Sequence, residues 1–175
     1  MRGLSPKAAR ALEKIAETKE FTYRSAAWTT KVLKELLNDP SRRGGDEQEA
    51  CVIEPQVKDA DESVSKMTVL FGETERVPPM EDESVGALTR PVGLGASADE
   101  GGAQLYFACA VPGIGKPVVS ARLVYGPRSP DEDPREGNIT VLQNLSRTLA
   151  RDMGALRRAV FRPCEPRGVP PDPVR

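Results

Sequence analysis

The sequence predicts an α+β chain: an N-terminal helical hairpin, a small antiparallel sheet, a C-terminal amphipathic helix (or hairpin) and a Pro-rich tail. Three observations carry this expectation. Apolar residues recur at helical spacing through the first 40 residues. Two alternating apolar runs, around 104–111 and 117–125, are separated by a glycine-rich turn. Beyond residue 162 the prolines are too dense for a ladder or a helix. The chain therefore divides into an N-terminal helical region (1–40), an acidic flexible insertion (41–66), an α+β core domain (67–162) and an extended tail (163–175).

The first helix is announced by Ser5-Pro6. A serine oxygen accepts from a free first-turn amide, and proline suits the first helical position because its missing N–H is not needed there. In the run K-A-A-R-A-L-E-K-I-A-E-T-K-E, Ala8, Ala11 or Leu12, and Ile15 fall on one face. A second helix is expected over S-A-A-W-T-T-K-V-L-K-E-L-L-N-D-P, where Trp28, Val32 and Leu36 form one stripe and Asn38-Asp39-Pro40 is the stop. Trp28 reads either as a core anchor or as a contact residue for a partner.

Between 41 and 66 the chain turns polar and acidic, and only Cys51–Ile53 resembles a strand, a short edge strand ended by Pro55. The run around 67–71 is strand-like. Residues 79–102 are acidic and glycine-rich and read as loop. Then Leu105, Phe107 and Cys109 alternate with Tyr106, Ala108 and Ala110, and a second alternation follows over 118–125. The intervening P-G-I-G-K-P makes this pair a β-hairpin, with Gly113, Gly115 and Lys116 in the turn. P-R-S-P-D-E-D-P-R-E-G-N is a polar break. Residues 139–161 fit one helix through Leu142, Leu145, Leu149, Met153 and Val160, or two strands turning at D-M-G; periodicity favours the helix.

Little catalytic chemistry is available. The chain has no histidine, which removes imidazole acid–base catalysis, Ser–His and Cys–His pairs and imidazole-bound metals. Its three cysteines, Cys51, Cys109 and Cys164, are far apart and form no C-x-x-C pair. G-I-G-K is not a phosphate loop: Ala110 stands where the first glycine belongs and Pro117 where the hydroxyl belongs. Cys109 lies mid-strand in an apolar run and reads as packed and inert. G-L-G-A-S-A-D-E-G-G (93–102) lacks the dinucleotide glycine spacing, and E-D-E (81–83) and D-E-D (131–133) lack the spaced ligands of a calcium loop. N-I-T (138–140) and N-L-S (144–146) match the glycosylation sequon, but no signal-peptide core follows Met1, so both read as chance. No cofactor and no metal is expected.

Charge is unevenly spread. Residues 1–40 carry 8 basic and 5 acidic groups, residues 41–136 carry 10 and 18, and residues 137–175 carry 7 and 3. Basic ends around an acidic middle fit a partner-binding surface better than nucleic acid, which needs one coherent basic face. Arg147, Arg151, Arg158 and Arg162 would share one side of a C-terminal helix, as a grip for an acidic partner or as a solvated face. No apolar run approaches the ~18 residues that span a bilayer, so a soluble intracellular chain is expected.

The order of W-T-T-K-V-L-K-E-L-L-N-D-P, L-F-G-E-T-E-R-V-P-P and A-Q-L-Y-F-A-C-A-V-P-G-I-G-K-P-V-V-S-A-R-L-V-Y resembles the cytochrome c oxidase assembly protein 1 family, a mitochondrial inner-membrane group related to a translocase-accessory subunit. The resemblance covers about half of the chain. It implies a small α+β domain that assists respiratory-complex assembly by protein contact, without catalysis, in the mitochondrion. The chain departs from that pattern in having no apolar anchor ahead of the helix, a long insertion at 41–66, and Ile139–Val141 where a tryptophan opens the last strand region. The functional expectation is a non-catalytic accessory subunit or assembly factor whose partners are other protein subunits, peripheral to a membrane complex. The alternative is a small-ligand or nucleotide-binding regulatory domain that uses the G-I-G-K turn and the arginine stripe.

Overall fold

Ser5 starts the first helix as its sequence requires. Its hydroxyl accepts from the Ala8 amide at 3.3 Å and Pro6 occupies the first turn of α1 (Pro6–Ala16). Ala8, Leu12, Ile15 and Ala16 are buried along one stripe, and burying the leucine alone contributes about 2 kcal/mol. Glu17 ends the helix in the left-handed region at φ 51°, with its amide turned back to the Lys14 carbonyl. The computed structural model describes residues 4–24, 47–56, 66–74, 77, 86–108, 118–126 and 133–155, with the side chains of the last helix described as far as Leu149.

Seven strands follow: β1 (Phe21–Arg24), β2 (Gln48–Pro55), β3 (Met67–Thr74), β4 (Leu88–Arg90), β5 (Gly95–Asp99), β6 (Gly102–Ala108) and β7 (Val118–Val124). They form one sheet in the order β1-β2-β3-β7-β6-β5-β4, and every neighbouring pair is antiparallel. Two meanders, β1–β3 and β4–β7, are thus sewn together along β3 and β7. The helix α2 (Arg135–Ala155) closes the chain's described part. It packs across β5, β6 and β7, and α1 packs on α2.

The pairing register places the core. Phe71, Ala121, Leu105 and Ala96 lie opposite one another across β3, β7, β6 and β5, and Val69, Leu123, Ala103 and Ala98 form the next row. All eight are buried and belong to one cluster with Leu12, Ile15, Ile139, Val141, Leu142 and Leu149 of the helices. On the other face, Leu70, Arg122, Gln104, Ser97 and Thr89 form a mostly polar row. This two-faced alternation is what a sheet with helices on one side dictates.

The α+β class, the pairing of 102–108 with 118–124 and the final helix agree with expectation. Three expectations need correction. Cys51–Ile53 is not a short edge strand inside a solvated insertion: β2 runs for eight residues between β1 and β3, with Ala50, Cys51, Val52 and Ile53 buried. Its charged flanks hid it, and Pro55 is tolerated because it is the strand's last residue, opposite Phe21 of edge strand β1. Residues 79–102 are not all loop, since β4 and β5 lie within them. Finally, the polar break does not extend to residue 138, because α2 begins at Arg135. The second helix of the expected hairpin, with Trp28, lies outside the described residues, as do the hairpin turn of Gly113, Gly115 and Lys116 and the Pro-rich tail.

Small residues on β5 and β6 have a packing reason. Ala96, Ala98 and Ala103 face the core where α2 crosses, so the helix can lie close to the sheet. Two glycines are fixed by close approach. A Cβ on Gly93, whose φ is +66°, would fall on the Tyr106 carbonyl oxygen, and one on Gly102 would fall on that of Leu123.

Candidate functional site

The helix pair makes the site. Ser5 donates its backbone amide to Asn144 Oδ1 at 3.1 Å, while Gly137 of α2 sits against Ile15 and Ala11 of α1. The two helices therefore run antiparallel. At Gly137 a Cβ would meet Ile15 Cδ1 at 3.3 Å, so the absence of a side chain lets the helices approach there. Beyond this crossing they leave a groove of about 390 Å³, lined by Lys7, Arg10, Ala11, Lys14 and Ile15 of α1 and by Asp133, Pro134, Glu136, Gly137 and Thr140 around the start of α2.

Its two walls differ in charge. Lys7, Arg10 and Lys14 recur at i, i+3 and i+7, so they line one side of α1. All three are exposed. Glu13 stands three residues after Arg10 and so flanks it on the side away from Ala11 and Ile15, about 60° around the helix. The opposite wall carries two carboxylates, and both are already neutralised. Asp133 accepts from Arg135 Nε at 2.8 Å and Nη2 at 2.7 Å, and also from the Arg135 amide at 3.0 Å. Those hydrogen bonds hold its carboxyl down at about 2, from an ordinary 3.8. Glu136 pairs with Arg90 of β4. Among the described residues, no carboxylate pairs with Lys7 or Arg10.

A buried polar clamp holds the acidic wall in place. Asn138 is fully buried; its Nδ2 donates to the carbonyls of Asp99 at 3.0 Å and Gly102 at 3.1 Å, and its Oδ1 accepts from the Tyr125 hydroxyl at 2.9 Å. The first turn of α2 is thereby tied to the β5–β6 turn and to the end of β7. Asn138 opens the N-I-T sequon and Asn144 the N-L-S sequon, and both amides serve structure: one is sealed in the core and the other caps α1.

A second concavity, of about 350 Å³, lies on the polar face of β5–β7 beside Ser97, Asp99, Gln104 and Arg122. Its one cation is compensated, since Arg122 Nη1 donates to Glu47 at 2.8 Å. Cys51 is buried, and desolvation pushes its thiol up to about 11, which leaves it protonated and unreactive. Among the described residues, no group of acidic or thiol side chains is placed to hold a metal ion, and no helix is long and apolar enough to cross a membrane.

Of the residues singled out in the sequence, Arg147 is exposed on α2. It lies one turn beyond Asn144, and so beside the start of α1. Arg151 is on the same helix, with its side chain beyond the described ones; Arg158 and Arg162 lie outside the described residues, as do Trp28, Cys109, Gly113, Gly115 and Lys116. Lys7, Arg10 and Lys14 are not among the residues singled out in the sequence, although their i, i+3, i+7 spacing lies beside the apolar stripe of α1. No family model matches this chain, and no curated protein or solved structure does. The family resemblance therefore rests on the quoted residues alone.

Proposed function

We propose that this protein is a non-catalytic accessory subunit or assembly factor that acts by protein–protein contact. The observation that carries the reading is the groove between α1 and α2, an open surface feature with the exposed Lys7, Arg10 and Lys14 along one wall and Ala11, Ile15 and Pro134 at its floor. Interfaces of this kind combine an apolar floor with charges that orient the partner. The lack of histidine and the protonated, buried Cys51 support a role without chemistry. The resemblance to the cytochrome c oxidase assembly protein 1 family extends the proposal to respiratory-complex assembly in the mitochondrion, at the periphery of a membrane complex.

The test is the native mass of the endogenous protein after gentle lysis, by gel filtration and identification of what travels with it. The reading expects a reproducible high-mass assembly of defined subunits. A free monomer or small homo-oligomer would overturn it.

A further inference from the structure

We draw no further inference here: the strongest candidate, the concavity on the polar face of β5, β6 and β7 beside Ser97, Asp99, Gln104 and Arg122, carries none because Arg122 is already paired with Glu47 and nothing in the structure shows what covers that face.

Discussion

Asn138 shows how much a single amide can hold. It is the only residue among those described that joins α2, the β5–β6 turn and the end of β7 through its side-chain hydrogen bonds, and it does so without exposure to water. Asn138→Leu should lower unfolding free energy by about 3 kcal/mol, because buried carbonyls and a hydroxyl lose their partner. Tyr125→Phe should cost about 1 kcal/mol, since it removes one bond of the same set. Chemical denaturation of both variants checks the ranking. Asp133 gives a second residue-scale prediction. Its folded carboxyl titrates at about 2 rather than 3.8, so its pairing with Arg135 contributes above pH 3.8 and is lost as pH falls from there to about 2. An NMR titration of the Asp133 carboxyl should show that low midpoint, and Arg135→Gln should return it toward the ordinary value. Asp133 is exposed, so the same titration in strong salt should show a smaller displacement.

At the scale of elements, legibility followed the strength of local signals. Ser5-Pro6 gave α1 its start, and the alternation around Leu105 and Leu123 gave the β6–β7 pair, because cap chemistry and period-two burial are written in consecutive residues. β5 was hidden for the opposite reason. G-A-S-A-D has no β-branched or aromatic residue; it is a strand because β6 pairs with it and α2 requires small side chains above it. β2 was shortened by its glutamates, which sit at its ends, while its centre is buried on both sides of the sheet. The start of α2 carried a local signal of a different kind, submerged in the acidic run before it: Asp133 accepts from the amide of Arg135, the first helical residue, and stands one position further out than Ser5 does from α1. The packing argument is testable at Ala96, which is buried between Leu105 and the helix layer. Ala96→Leu should destabilise by about 2 kcal/mol through overpacking. Ser97→Thr, on the opposite face of the same strand, should be close to neutral. Thermal and denaturant unfolding of the two variants separates them.

At the scale of the whole molecule, the fold leaves its two faces unequal. One face of the sheet carries α1 and α2, and the groove between those helices brings the exposed Lys7, Arg10 and Lys14 opposite the start of α2. The candidate site was only partly readable beforehand. The arginines of α2 were visible as a stripe, but the groove arises from α1 lying antiparallel to α2, a contact between residues more than 120 positions apart that no local pattern encodes. Charge bookkeeping by segment gave the right sign for the N-terminal region without locating the surface. The most direct measurement of the central claim is the native mass, from gently lysed cells, of wild type and K7E/R10E expressed at endogenous level. The account predicts a high-mass assembly for wild type and its loss, with a folded free chain, for the variant. A wild-type chain that elutes alone would contradict it.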